Sequence, residues 1–476
     1  MSIVTRIARE EWRCMWRDRV ASLGLVLLTL LTLVAALSAW EHQRTANLQR
    51  QHYQAQADHA FSSQPDRHPH RVVHYGHFVF RPLNALASFD PGIDAYTGNT
   101  LFLEGHRQNG ANFGDVRQSS LLLRFGQLHP AFILQVLAPL LLIFVGHGAI
   151  VRERETGTLR VLLAQGVRGR QLFLGKLLAL LGFAALMLLP GAAVLAWLGI
   201  SGQADGRLTL LLLAAYSGWL LIWSLAVVLV SSLLRQVRDA LLLLLASWVV
   251  LVILLPRLAP DMASASVVLP SKFESDIVVQ NAYRALGDSH DPDDPHFRQF
   301  RQDVLAHYGV ATVEQLPVNY KGLLAMEGER LSSSLFRQHM CAQHDLQQRQ
   351  IGLVNALGWL APTLALRRLS MGAAGTDLQA FQGFLTQGEQ YRYGLVQRLN
   401  QLEVDELSYA DDTDAGKENR IARQHWQAMA PFQYQPPPAG ETLRAVLPAM
   451  AALMLWLSGL ALLAVPAAKR LDKGWR

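Results

Sequence analysis

Cysteine is nearly absent: Cys14 and Cys341 are the two thiols in 476 residues. The topology argued below puts them in opposite compartments. No intrachain disulfide is therefore expected. Charge is also sparse. Asp, Glu, Lys and Arg make up 17% of the chain against 51% hydrophobic residues, and mean hydropathy is +0.17. That is too apolar for an ordinary soluble protein and too polar for a bare bundle of spans. It leaves a membrane protein with substantial water-facing mass. Hydrolase signatures are missing too: there is no Gly-x-x-x-x-Gly-Lys-[Ser/Thr] phosphate loop, no His-Glu-x-x-His and no Gly-x-Ser-x-Gly elbow. The chain is expected not to be an enzyme.

The net charge is +6 and the pI near 9.4. In a soluble protein this would point to nucleic acid. Here the basic residues flank apolar runs, so membrane orientation accounts for them and no nucleic-acid partner is expected.

A hydrocarbon core takes about 20 apolar residues to cross. Six stretches qualify, at 20–40, 130–151, 173–199, 208–234, 239–255 and 443–466. The first is long and starts only after 19 residues, so it reads as a retained span, with Trp40 as an interfacial anchor. The segments 1–19, 152–176, 235–238 and 467–476 hold 17 Lys and Arg in 58 residues, while the loop 200–207 holds only Arg207. The positive-inside rule places these basic segments, with both termini, in the cytoplasm. Segments 41–129 and 256–442 then lie outside. Apart from His147 the span interiors carry almost no titratable group, which argues against an ion-coupled carrier.

The run after Trp40 lacks Gly and Pro and predicts a helix continuing outward for about 20 residues. Arg71–Phe80 alternates and predicts a short strand. In the second outer segment helices are expected at 275–287, 296–308, 319–358, 376–405 and 416–429, with Asp291–Pro295 as a turn cluster. Nine of the 16 histidines fall in 41–129. His68-Pro-His70 and His74-x-x-His77 offer imidazoles for copper or zinc. The same four also read as polar surface residues, without a Cys, Met or carboxylate array. No metal site is expected, and His68, His70, His74 and His77 are the candidates if there is one.

Between the second and third spans lies Arg152-Glu-Arg-Glu-Thr-Gly-Thr-Leu-Arg-Val-Leu-Leu163. Thr156-Gly157-Thr158 supplies a cap-like start and a hinge. Glu153 and Glu155 sit at the positive end of the helix that follows. Leu159, Leu162 and Leu163 share one face of that helix. So short a helix is unstable alone and must dock, either on lipid or in a protein groove with leucine anchors. At the N-terminus Ile3, Val4, Ile7, Ala8, Trp12, Met15 and Trp16 recur at helical spacing beside Arg6, Arg9, Arg13 and Arg17. That pattern is an amphipathic interfacial helix.

Glu153-Arg-Glu155-x-Gly157-Thr158-Leu159-x-x-Leu162-Leu163, with Arg168-x-x-x-Leu172-x-x-Gly175-Lys176, resembles the coupling-helix region of ABC-2-type transporter permeases. Phe89-Asp-Pro-Gly-Ile-Asp-Ala-Tyr-Thr-Gly98, Leu103–Asn109, Ala361–Ser370 and Ala374-Gly-Thr-Asp377 resemble a bacterial subgroup with a large periplasmic domain. Taken alone, the Asp-Pro-Gly and Gly-Thr-Asp pieces are good turn and cap sequences. The resemblance implies a mainly α fold, a six-helix transmembrane ABC-2 (type V exporter-like) permease with a helix-rich extracytoplasmic domain built from two insertions. It implies a connecting helix at 1–19, a coupling loop at 152–172, a cytoplasmic tail at 467–476 and residence in the bacterial inner membrane. ATP and Mg would be bound by a partner ABC ATPase and not by this chain. Glu153, Glu155, Gly157, Thr158, Leu159, Leu162, Leu163 and Arg168 would form the ATPase-coupling interface. A second permease chain, identical or homologous, would complete the core within the lipid bilayer. The outer domain would cap the exit, hold cargo or recruit a periplasmic or outer-membrane protein. The competing reading is a membrane-anchored periplasmic metal-binding or sensor module using the histidine-rich loop.

Overall fold

A long apolar run in hydrocarbon can satisfy its backbone polar groups only within its own helix. The computed structural model, which describes residues 2–112, 128–288, 291, 293–414, 417 and 419–473, is accordingly mainly helical. Among the described residues six helices are long and apolar enough to cross a membrane, and they overlay the six apolar stretches. The chain is a membrane protein.

Helix α1 (Ile3–Arg17) is capped by Ser2, whose hydroxyl accepts from the Thr5 N–H at 3.2 Å. Asp18 is extended, which separates α1 from α2, and its carboxylate caps α2 at Val20 N, 2.9 Å away. Helix α2 (Arg19–Ser62) runs 44 residues without a break. The other long apolar helices are α4 (Pro130–Glu155), α6 (Gly169–Ile200), α7 (Gly206–Leu233), α8 (Val237–Ser266) and α16 (Ala439–Lys473). Of these, α4, α6 and α7 form the centre of the bundle. A π-helical turn in α4 covers Ile133–Leu137. Such a turn disturbs the regular backbone ladder. Two indoles bond carbonyls there: Trp219 Nε1 donates to Leu134 O at 3.1 Å and Trp248 Nε1 to Val136 O at 3.0 Å.

Most of the other described residues form a polar head at one end of the bundle. It comprises the far half of α2, α3 (Pro69–Tyr75), strands β1 (His77–Phe80) and β2 (Thr100–Leu103), and the helices between α8 and α16. The strands pair antiparallel, His77 opposite Leu103 and Phe80 opposite Thr100. The expected strand over 71–80 is only its last four residues. Pro69 at the first helical position and His68 as N-cap start a helix, which buries the adjacent pair Val72 and Val73 together. Gly76, at φ 78°, ends it. Helix α2 then serves this stretch in place of a third strand. Asn47, Arg50 and Gln54, along one face, bond the backbone at Leu83, Arg81 and Phe80.

The second outer segment supplies α9 (Lys272–Ala285), α10 (Pro295–Tyr308), α11 (Tyr320–Leu357), α12 (Pro362–Ala374), α13 (Leu378–Glu406), α14 (Tyr409–Thr413) and α15 (Gln424–Gln427). Four of these helices overlay the expected ranges. The expected helix over 416–429 shrinks to α15, because Ile421 donates its N–H to Arg67 O at 3.1 Å and is held in a β-bridge. Residues 416 and 418 of that expectation lie outside the described residues, as does Pro292 of the expected turn cluster. Helix α12 stands where no helix was expected, while the Gly-Thr-Asp piece after it is a cap as expected: Gly375, at φ 66°, ends α12 and the Asp377 side chain accepts from Ala380 N to start α13. Its Leu366, Leu369 and Ala373 are buried in the bundle core.

Two hydrophobic cores join the outer segments. Phe61, Val72 and Val73 meet Val396, Leu399 and Trp426. Val79, Leu101 and Leu103 meet Phe384 and Phe432. Between them Arg392 is buried against Glu329 and Glu389, both at 2.7 Å. Burial pushes the Glu329 carboxyl up, but bonding from His106 and the Arg392 charge overcome it and hold it at about 2.

Glu403 contrasts with this pair. It is buried, and its Oε2 has no hydrogen-bond partner among the described residues. Burial pushes it up to about 7, reinforced by Asp412 and opposed by Lys321. The folded protein therefore keeps a proton that the unfolded chain releases above the usual carboxylate range. Stability falls as pH rises from there through about 7, by about 3 kcal/mol in total. Glu403→Gln is expected to flatten this slope and raise the melting temperature near neutral pH. Thermal unfolding of the detergent-solubilised protein at about pH 5 and about pH 8 measures it; an unchanged slope removes Glu403 as its source.

Candidate functional site

The loop between α4 and α6 holds the residues singled out by sequence. At Gly157, φ is 82°, a left-handed value that reverses the chain between α4 and α5 (Thr158–Ala164). A Cβ there would meet nothing within 4 Å, so the dihedral and not crowding calls for glycine. Gly157 itself is the N-cap and offers no side chain, while the Thr158 hydroxyl donates to Glu153 Oε2. Gly166, at φ 86°, closes the helix, and Arg168 stands as the N-cap of α6.

The leucine face divides. Leu159 is 5% exposed and packs within its own chain, and Leu162 and Leu163 are half-buried. The open face is Arg160, Val161, Ala164 and Gln165, with Val161 55% exposed. Leu159 thus holds the helix on the protein.

Lys176, about two turns into α6, anchors the loop. It is 6% exposed, and its ammonium lies 2.6 Å from Glu11 Oε2 and 3.0 Å from Glu153 Oε1. One buried cation therefore ties α1, the end of α4 and α6. Glycine lets α1 approach: a Cβ on Gly175 would meet Ile7 Cγ2 at 2.6 Å, and one on Gly182 would meet Trp12 Cζ3 at 2.7 Å. Sequence reading missed this triad. The available signal was Glu11, an acid within an otherwise arginine-rich helix.

The loop also grips the α7–α8 connection. Ser231 Oγ accepts from Ile150 N at 2.9 Å and Val151 N at 3.1 Å, and Arg154 donates to the carbonyls of Ser232 and Leu234. Glu155 Oε2 accepts from Val237 N at 3.4 Å.

At the opposite end of the bundle two of the quoted motifs close on each other. Asp90 accepts from Ser370, whose hydroxyl is 2.9 Å from Tyr216 OH, and Gln135 Nε2 donates to Tyr216 OH at 2.8 Å. Thr376 Oγ1 donates to Asp90 O at 3.0 Å. Gly92 leaves no room for a side chain, since its Cβ would lie 2.4 Å from Thr376 O. This buried polar chain couples the head to α4 and α7 by hydrogen bonds in a water-poor setting, where each is costly to leave unmade.

The four candidate histidines do not converge. His68 Nε2 is 2.8 Å from Asp412 Oδ1, and His77 is buried with Nε2 3.0 Å from Asp58 Oδ1. His70 and His74 do come together, at 3.1 Å between their Nε2 atoms, and His106 joins them.

A family model described as a domain of unknown function (DUF3526) matches residues 273–435. That is about a third of the chain, confined to the head between α8 and α16. No curated protein matches.

Removing the Lys176 ammonium would leave two carboxylates facing each other with little water. Lys176→Met is expected to cost about 3–5 kcal/mol and to release α1, making the Arg17–Arg19 junction sensitive to trypsin. The triple variant Lys176→Met, Glu11→Gln, Glu153→Gln should recover most of the loss. Equal stability of the single and triple variants would show that the charges are not what binds α1.

Proposed function

We propose that the chain is the membrane-spanning subunit of an ATP-driven transporter of the ABC-2 type. It moves cargo outward or does mechanical work while a separate ATPase hydrolyses ATP. The observation that carries this reading is the Lys176 triad beneath α5. A short helix, too small to stand alone, leads out of a site that joins α1 to the ends of two membrane helices, α4 and α6, and keeps one face uncovered. A push on that face is passed to α4, α6 and, through Arg154 and Glu155, to the α7–α8 turn. Such a push must supply several kcal/mol of differential binding to shift a two-state core. Closure of an ATPase dimer around ATP and Mg provides a source of that size.

In this reading the basic ends, with α1 and α5, face the cytoplasm of a bacterial inner membrane, and the head faces the periplasm. The helices α2, α8 and α16 are the less buried ones and carry exposed apolar side chains such as Leu27, Leu242 and Leu455. They meet lipid and a second permease chain, since six spans make half of a typical core. The head, roped to α4 and α7 through Asp90, Ser370 and Tyr216, responds when those helices move, which suits a cap on the exit or a seat for cargo or a partner protein.

The contact face for the ATPase is Arg160, Val161, Ala164 and Gln165, with Leu162 and Leu163 at its edge. Val161→Asp is expected to weaken association with the ATPase by at least about tenfold, or about 1.4 kcal/mol, without changing insertion or melting temperature. Leu159→Asp, which buries a charge, should instead lower the folded yield. Purification from native membranes, with the companion identified by its phosphate-loop sequence and ATP hydrolysis, provides the readout. The proposal fails if no such companion is bound, or if Val161→Asp binds it as well as the unaltered chain does.

A further inference from the structure

We infer that His70, His74 and His106 form a binding site for a divalent transition-metal ion, zinc foremost, with one coordination position left open. The site lies in the head, far in the fold from α5, and is independent of the transporter reading.

The geometry begins with α3. Pro69 fixes the first turn and places His70 and His74 four residues apart on one face. Their Nε2 atoms are 3.1 Å apart. Tetrahedral ligation at about 2.0–2.1 Å per nitrogen needs neighbouring nitrogens about 3.3–3.4 Å apart, so this pair is already near the required spacing. The third imidazole comes from the turn after β2. One ligand atom from each of the three histidines lies within 4.8 Å of the other two.

His106 is a built feature. Its φ is 60°, the one positive value at a non-glycine among the described residues. A side chain is held in that region only when its surroundings fix it there. Glu329 does so. It accepts the His106 backbone N–H at 3.0 Å, and the same oxygen lies 3.2 Å from His106 Nδ1. Glu329 is fully buried and is itself fixed by Arg392 Nη1 and Ser333 Oγ, both at 2.7 Å. With Nδ1–H bonded to the carboxylate, Nε2 carries the lone pair. A carboxylate behind a ligating histidine is the usual outer-shell arrangement around protein-bound metals, where it sets tautomer and ring direction.

A hydrogen bond between His70 and His74 accounts for their closeness alone. It does not account for a third imidazole brought to them on a strained residue, 32 positions after His74, with a buried carboxylate behind it. Glu104 and Glu329 add negative charge near the cluster, partly offset by Arg107 and by Arg392, which pairs with Glu329. An all-imidazole set suits zinc, copper or nickel better than magnesium or calcium. His74 is solvent-exposed, so an ion has a path in, and water or a donor from a bound molecule can take the fourth position.

The test uses the full-length protein in detergent, purified without a histidine tag and stripped with chelator. Zinc alone is titrated and the bound ion counted after gel filtration; cobalt(II) is added separately and its visible spectrum recorded. The expected result is about one ion per chain and an intense tetrahedral cobalt spectrum. His74→Ala and His106→Ala should each weaken zinc binding by more than about tenfold, the smallest loss that even outer-shell changes cause, and abolish the cobalt spectrum. His52→Ala, a histidine elsewhere on α2, should behave as the unaltered protein. If an alanine variant folds poorly, His106→Asn at the same position replaces it. No stoichiometric zinc, or binding that survives both His106 substitutions, overturns the inference. Copper displacing zinc without loss at His106→Ala would overturn it equally.

Discussion

A single ammonium, that of Lys176, decides how the loop end of the bundle is put together. Taking it out of water costs several kcal/mol, and only close carboxylates can offset that. Glu11 and Glu153 come from two other helices, so satisfying the charge and assembling the three helices are one event. Buried ion pairs are weak sources of net stability compared with well-packed apolar residues. Their strength is selectivity, because an approach of α1 that misses Lys176 leaves charges stranded. The glycines at 175 and 182 act in the same direction by admitting Ile7 and Trp12 at one register only.

The head obeys a different constraint. Its cores are shared between chain segments on either side of four membrane helices. Trp426 packs with Phe61 and Val72, and Phe384 with Val79 and Leu101. The region matched by the family model, 273–435, therefore contains only part of its own interior. The stretch from α2 to β2 supplies the rest. The recognisable sequence unit and the folding unit differ, and the head is completed only when both outer segments are on the same side.

What could be read from the sequence follows the range of the interactions involved. The six apolar helices were legible because length and hydropathy are local properties, and so was the continuation of α2 past its apolar run, a stretch with no Gly or Pro to stop it. The turn at Gly157 was legible for the same reason. Leu159, Leu162 and Leu163 were correctly placed on one face, but periodicity cannot say whether a face meets its own chain or a partner, and Leu159 meets its own. Of the strand expected at 71–80 only His77–Phe80 forms, because Val72 and Val73 are buried side by side in a helix, which the alternating rule does not describe. Helix α12 was missed because its N-cap, Ala361, makes no side-chain cap bond and only the Gly375 that ends it is marked in the local sequence. Lys176 with Glu11, and His106 with His70, lie far apart in the chain, and no spacing rule reaches that far.

Helix α2 carries a mechanical consequence. It passes from the basic end of the bundle to the core around Phe61 in 44 residues without interruption, a rod of about 66 Å. Its outer half is stitched to the head backbone through Asn47, Arg50 and Gln54. A stiff rod pivoting at its base amplifies small angles: about ten degrees of tilt, well inside the range spanning helices adopt, swings the far end by about 11 Å. Head and bundle are thus joined by one rigid arm, and any tilt of α2 at its basic end is felt as a much larger displacement of the head.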